Sequence, residues 1–276
     1  MQDRDALTTL AWLVEAGADE AVADAPVNRL VAKPSAPAAP VPPTPRASAS
    51  RAASAPPPPK APTSGGDAIG DAMKVASAAR NLGELKAAME AFESSALKRA
   101  ATNTVFADGT PAGRVMFIGE APGRDEDRIG KPFVGRAGQL LDKMLASIDL
   151  DRSRNCYITN VINWRPPDNR DPSPEEAAIC LPFLRRHIEL ANPGVIVLLG
   201  AVAARHVMGI TEGIMRTRGR WLEYRVGDAM VPVMPTLHPA YLLRQPAHKK
   251  LAWRDLQAVA ARMEALGLPE PATRVS

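Results

Sequence analysis

The stretch from Val115 to Gly138, VMFIGEAPGRDEDRIGKPFVGRAG, decides the fold. Val115, Met116, Phe117 and Ile118 form an unbroken apolar run bounded by Gly119 and Gly123, the pattern of a short strand covered on both faces. Such a strand needs helices above and below it. Glu120 follows directly, ahead of Ala121, Pro122 and Gly123, so a carboxylate sits where the strand ends and the backbone turns. Ligands of open α/β sheets bind at that end. Phe133 lies between Pro132 and Gly135 in a segment too short for a helix. Pattern alone leaves two readings for each: Glu120 serves a site or is a solvated turn residue, and Phe133 faces a flat ligand or belongs to the core.

Working outward, the same grammar repeats. Residues 137–148, AGQLLDKMLASI, gather Leu140, Leu141, Met144, Leu145 and Ile148 on one face and predict a helix. Residues 156–162, CYITNVI, predict a second strand that ends in Asn163, Trp164 and Arg165. Ser173 as N-cap, Pro174 at the first position and acids behind it start a helix running to about Ala191. VIVLL over 195–199 is a third buried strand, and Gly200 and Ala201 open another helix. Small residues there either let a phosphate approach backbone N–H groups or only permit close helix packing. Residues 221–226 and 230–234 read as a hairpin or edge pair around Gly227 and Asp228, the second strand delivering His238, and 247–266 is a closing helix.

Alternation of strand and helix predicts a three-layer α/β/α domain with a central, mostly parallel, four-stranded sheet. Glu120, the segment from Asn160 to Arg165, Gly200 and His238 then meet at the carboxyl edge of that sheet although they are far apart in the chain.

Upstream, 71–99 suggests a helix interrupted near Asn81 to Gly83, and Asp108-Gly109 is a turn signal before the first strand. Residues 34–67, with PPPP at 56–59, are too rich in Pro, Ala and Ser to bury a core and read as a disordered linker. Before the linker, Leu7, Leu10, Leu13 and Val14 fall at helical spacing, so residues 1–33 carry an amphipathic helix that packs on the body or docks another protein. The globular body is expected over 68–269, with a tail over 270–276.

A net charge of +4, from 34 Lys and Arg against 30 Asp and Glu, permits a polyanion partner without requiring one. Two cysteines, Cys156 and Cys180, give neither a disulfide framework nor a metal-ligand set. No apolar stretch is long enough to span a membrane, and the acidic N-terminus does not read as a signal peptide. A cytoplasmic protein is expected, nucleoid-associated if bacterial.

The motifs GEAPGRDED, KPFVGRAGQLLD, YITNVINWRPPDNRDPSPEE, LLGAVAA and LHPAYLLR occur in this order. Together they resemble the uracil-DNA glycosylase superfamily, closest to its family 4, over roughly Ser95 to Asp255. The resemblance implies a monomeric DNA repair enzyme that flips deoxyuridine out of DNA, hydrolyses its N-glycosidic bond without a metal and leaves an abasic site. A catalytically weak DNA-binding or polymerase-associated module of the same fold is the alternative.

By the resemblance, Glu120 is the catalytic carboxylate and Glu126 a supporting acid. Phe133 stacks on the flipped uracil, Asn160 reads its edge, and His238 donates to uracil O2. Asn169 is a polar contributor beside the site. Leu242, Leu243 and Arg244 form an intercalating wedge with a phosphate-binding cation, and Arg165, Gly200 and Ala201 lie along the DNA. Ala121 begins the segment to Asp125 that is nearest the thymine methyl to be excluded. No histidine stands in the RPPDNRDPSPEE interval, where covalently trapping relatives carry one, so turnover is expected. Family 4 members usually hold an iron–sulfur cluster on four cysteines. Only Cys180 matches one of them, with Phe92, Ser95 and Trp164 at the other positions, and a cluster-free protein is the expectation.

Overall fold

The computed structural model describes residues 65–268. The amphipathic helix expected near the N-terminus, nearly all of the 34–67 linker and the 270–276 tail lie outside the described residues.

The first described helix, α1, spans Gly65–Ala78, starting ahead of the expected boundary at Ala68. α2 (Leu82–Glu90) begins after the expected break, where Asn81 caps it by accepting from Glu84 N at 2.8 Å. A short α3 covers Ala96–Ala100. The sheet contains β1 (Asp108–Gly109), β2 (Val115–Gly119), β3 (Tyr157–Asn160), β4 (Val195–Leu199), β5 (Leu222–Val226) and β6 (Ala229–Thr236) in the spatial order β1-β3-β2-β4-β6-β5. Between them run α4 (Arg124–Ile129), α5 (Arg136–Ala146), α6 (Pro174–Ala191), α7 (Ala201–Met208) and α8 (Ile214–Thr217), followed by α9 (Pro239–Arg244) and α10 (Lys249–Ala265).

The α/β class stands, but the sheet has six strands rather than four. The four central strands, β3, β2, β4 and β6, are parallel, and an antiparallel strand flanks each edge. β1 is only two residues long, so it has no periodicity to read, and its Asp108-Gly109 pair resembles a turn in sequence. β5 pairs with β6 around the Gly227 turn, completing the expected hairpin as an edge of the same sheet.

Every residue of β2, β3 and β4 is buried, and the pleat sends alternate side chains to opposite faces. Met116, Ile118, Ile196 and Leu198 face a core completed by α1, α2 and α6. Val115, Phe117, Val197 and Leu199 face a second core closed by Leu141 and Leu145 of α5 and Leu256 and Val259 of α10. Two cores on one sheet are what an unbroken apolar strand requires. α6 starts as its sequence foretells, with Ser173 and Glu176 forming reciprocal cap bonds of 3.2 and 2.8 Å.

The first core contains the aromatic group around Cys180. Trp164 is fully buried, stacks on Phe92 with centroids 6.1 Å apart, meets the edge of Phe183 and donates from Nε1 to Thr104 Oγ1 at 2.9 Å. Ser95 caps α3 by accepting from Lys98 N. Trp164→Ala should therefore destabilise the fold by about 3–5 kcal/mol, as removal of a buried aromatic ring does. Trp164→Phe, which loses mainly the bond to Thr104, should cost less; urea unfolding followed by circular dichroism separates the two.

Candidate active site

Parallel pairing aligns the carboxyl ends of the central strands, and three of the four ends deliver a polar side chain. Gly119 stands opposite Asn160 in the β2–β3 register, and Leu199 opposite Thr236 in the β4–β6 register. Glu120, Asn160, Gly200 and His238 therefore emerge along one edge, as the sequence implied.

A cavity of about 200 Å³ opens there, lined by Ala121, Gly123, Glu126, Phe133, Asn160 and His238, with Ala137 and Ala240 completing it. The Phe133 ring lies 5.5 Å from the His238 ring, tilted by 32°. Phe133 has φ 54°, a left-handed conformation unusual for a bulky residue. Gly119 makes the arrangement possible, because a Cβ there would collide with both the Phe133 ring and Asn160 Oδ1. Gly138 serves the same end, since a Cβ on it would strike the Phe133 carbonyl.

Asn160 is 2% exposed, and its Oδ1 has no hydrogen-bond partner among the described residues. A buried acceptor left unmade costs about 1–3 kcal/mol. Such an orphan at the wall of a cavity is a group waiting for a donor.

His238 is the N-cap of α9, its Nδ1 accepting from Ala240 N at 3.1 Å. The ring proton of the neutral imidazole therefore resides on Nε2. Burial, reinforced by the Arg244 cation and opposed by Glu126, pushes the His238 pKa down to about 4. Glu120 has no side-chain hydrogen bond among the described residues and does not line the small cavity. Burial and the nearby Asp171 raise its pKa above the ordinary carboxylate value, while Arg205 pulls it back.

Glu126 has a different position. One carboxylate oxygen accepts from Val134 N and Gly135 N at 2.9 Å each, and the other accepts from Gly123 N at 3.1 Å. Its acceptor capacity is directed at the loop that carries Phe133. It lines the cavity as a staple of the backbone.

Arg165 and Asn169 lie outside this cavity, in an adjoining open pocket of about 550 Å³ that also presents Arg124, Asp125, Arg136 and Asp168. Arg165 Nε donates to Asn169 Oδ1 at 2.7 Å, so the side-chain oxygen of Asn169 is engaged. Gly200 has φ 94° and donates to Thr236 O at 2.9 Å, and a Cβ on it would press on His238 Cβ at 3.0 Å. Gly200 thus lets the end of β4 approach His238 closely, with Ala201 starting α7 behind it. Leu242 is 1% exposed and packs into the second core, so of the two leucines only Leu243, at 37%, is presented to solvent. Leu242 packs in the second core and beside residues of α5 and α10, so of the expected pair only Leu243 is exposed.

Gly119, Ala137, Ala240, Asp171 and Arg205 were not singled out from sequence. Ala240 follows His238 in a readable motif, whereas Asp171 and Arg205 reach Glu120 only through folding.

Residues 106–257 match the model of the uracil DNA glycosylase superfamily. The chain is 45% identical over 159 residues to the type-4 uracil-DNA glycosylase of Thermotoga maritima, covering 56% of this chain and 81% of the relative. It is 45% identical over 154 residues to that of Archaeoglobus fulgidus, covering 54% and 77%. A 28% identical match over 156 residues to a DNA polymerase of Bacillus phage SP01 covers 56% of this chain and 16% of the polymerase.

These relatives correct the cofactor expectation. They bear the name of the type for which the resemblance implies an iron–sulfur cluster, so the likeness argues for one, and a cluster-free protein does not stand. The expectation rested on counting cysteines at motif positions, which does not test whether a cluster binds. The described residues do not fit a four-thiolate set. Among them no group of three or more His, Cys, Asp or Glu is placed to hold a metal ion, and Phe92 and Trp164 stack on each other in the core that also holds Cys180.

Glu126→Gln leaves either Gly123 N or the Val134 and Gly135 pair facing an amide N–H₂, so a stability loss of about 1–3 kcal/mol is expected in thermal unfolding. For His238 the folded pKa of about 4 lies below the ordinary 6.5. Between these values the unfolded chain binds more protons, so stability should fall as pH drops through that window. An imidazole NMR titration of His238 with its midpoint near the ordinary value would contradict the burial argument.

Proposed function

This chain belongs to the uracil-DNA glycosylase superfamily and is a uracil-DNA glycosylase, and we propose that it removes uracil flipped out of DNA by side-chain chemistry at this cavity. The observation that carries the proposal is the unpartnered, buried Oδ1 of Asn160, a residue that lines the cavity together with Phe133 and His238.

The base would enter at a cost of a few kcal/mol for unstacking, less when it is mispaired, so uracil opposite guanine should open more readily. Phe133 offers its face to the base. Asn160 Oδ1 accepts from uracil N3–H, and its amide N–H₂ faces O4. With the amide held in this orientation, cytosine would set the N3 lone pair against Oδ1 and be rejected. Ala121 at the cavity wall is the nearest candidate for excluding the thymine methyl.

The C1′–N1 bond breaks with its electron pair leaving on uracil. Negative charge grows at O2, where His238 Nε2–H donates; a neutral donor suffices, and burial keeps the ring neutral. Glu120, raised in pKa but carried on the strand end beside the cavity, stabilises the cation that develops on the sugar and orients the attacking water. Water oxygen bonds to C1′, and its proton is delivered to the departing base, giving uracil and an abasic site. Glu126 supports the loop without reacting, and Asn169, engaged by Arg165, orders the flank of the site.

Leu243 is the wedge for the gap left by the base, and Arg244 holds a phosphate. Arg165 and the α7 start at Gly200 and Ala201 lie on the same DNA-facing side. Action is proposed as a monomer in the cytoplasm, at the nucleoid if the source is bacterial; among the described residues no helix is long and apolar enough to cross a membrane. A second reading, a DNA-binding module with weak turnover, draws on the match to part of a phage polymerase.

Single-turnover cleavage of an oligonucleotide with one uracil, in excess chelator and developed with alkali, tests both readings. Glu120→Ala and His238→Ala should slow the chemical step by about 10²- to 10³-fold while DNA binding persists. Uracil excision that ignores Glu120 would refute the assignment, and a folded wild-type protein that binds DNA without cleaving would favour the module.

A further inference from the structure

Beside α9, away from the uracil cavity, a groove of about 430 Å³ runs between α5 and α10. Its floor is apolar, formed by Leu140, Met144, Leu242 and Leu256. Lys143, Lys249 and Lys250 rim it, and Trp253, 42% exposed, supplies one wall. No acidic residue lines it. None of the three lysines makes an ion pair among the described residues, and no ring there stacks on Trp253.

The placement of the lysines is unfavourable by itself. Lys249 and Lys250 open the 17-residue α10, whose first turn contains no acid and whose N-cap makes no side-chain bond. Two cations there repel the partial positive charge of the helix end, which costs stability unless an anion lies alongside. An exposed indole above an aliphatic floor adds a platform for a flat ring. Cations for phosphates beside a stacking surface for a base are the two halves of a site for unpaired nucleic acid.

We propose that this groove binds an unpaired nucleotide of the DNA flanking the target, its base on Trp253 and its phosphates on Lys249, Lys250 and Lys143. The proposal rests on the reading that α9 faces DNA. Leu242 provides the continuity, because it floors the groove while Leu243 and Arg244, next on the same helix, stand exposed. A strand held at α9 would pass over the groove without changing course. An acidic, leucine-rich peptide could also fill an apolar trough with a basic rim, but the groove's continuity with the wedge helix favours DNA.

The test uses the full chain and a labelled single-stranded oligonucleotide without uracil, read by fluorescence anisotropy across a salt series. Because the probe lacks uracil, the result does not depend on whether the protein excises the base; excision is scored separately at saturating DNA. The double variant Lys249→Ala/Lys250→Ala should lower the slope of log K against log salt by about 1.4, at ~0.7 per phosphate. Trp253→Ala should weaken binding roughly 5- to 150-fold, and Trp253→Phe should restore most of it. Single-turnover excision at saturating DNA should stay at the wild-type value in all three variants, and the double lysine variant should melt no lower than wild type, because it relieves the repulsion at the start of α10. Unchanged salt slope and affinity would overturn the proposal, as would unchanged DNA binding together with quenching of Trp253 by an acidic, leucine-rich peptide. A slowed excision step with normal binding would also overturn it, by placing these residues in the reaction.

Discussion

The Glu126 carboxylate, by accepting from three backbone N–H groups, holds the loop on which the rest of the site depends. The segment after β2 must leave the sheet, form a short helix and return with an aromatic ring over the strand ends, and a loop doing so exposes many donors to a dry interior. Glu126 takes the donors. On the other side of the loop Arg152 takes acceptors, donating to Pro132 O at 3.1 Å and Phe133 O at 2.9 Å while pairing with Asp108 and Asp142. Backbone groups of the loop that strands or helices would otherwise pair thus find side-chain partners. Held from both directions, Phe133 can keep a left-handed backbone that a bulky residue otherwise avoids.

Burial then acts in opposite senses on the two titratable groups beside this loop. It raises the Glu120 pKa and lowers that of His238, because each prefers its neutral form out of water. For the histidine the outcome is useful as it stands: a neutral ring with a committed tautomer is a donor of known direction. For the carboxylate the effect is moderated by Arg205, a residue of α7 that reaches it across the sheet edge. Gly200 matters here by its lack of side chain, since it lets β4 approach His238 closely.

Much of this was legible in the chain. The run 195–199 is a strand to the residue, and Ser173 caps α6 because hydroxyl, proline and acids in that order have one favourable arrangement. Apolar runs revealed β2, β3 and β4 because both faces of each are covered, whereas β6 read only as one arm of a hairpin or edge pair. β1 escaped because two residues carry no period, and it exists only through pairing with β3. Leu242 and Leu243 are alike in sequence, and only the tilt of α9 against α5 decides which is core. Asn169 and Arg165 satisfy each other locally, which no motif announces. Counting thiols misled on the iron–sulfur cluster, because it weighed four positions against a likeness spread over the whole motif set.

His238 touches both the cavity and α9. The acceptor atom that caps α9 belongs to a ring that also lines the cavity. When Nε2–H is donated, electron density moves toward Nδ1, which becomes a stronger acceptor for Ala240 N–H, as in any chain of linked hydrogen bonds. A hydrogen bond made in the cavity by Nε2–H would therefore also strengthen the cap that His238 provides to α9. On the proposed reading, this ring would relay the hold on an extruded base to the helix that meets the DNA.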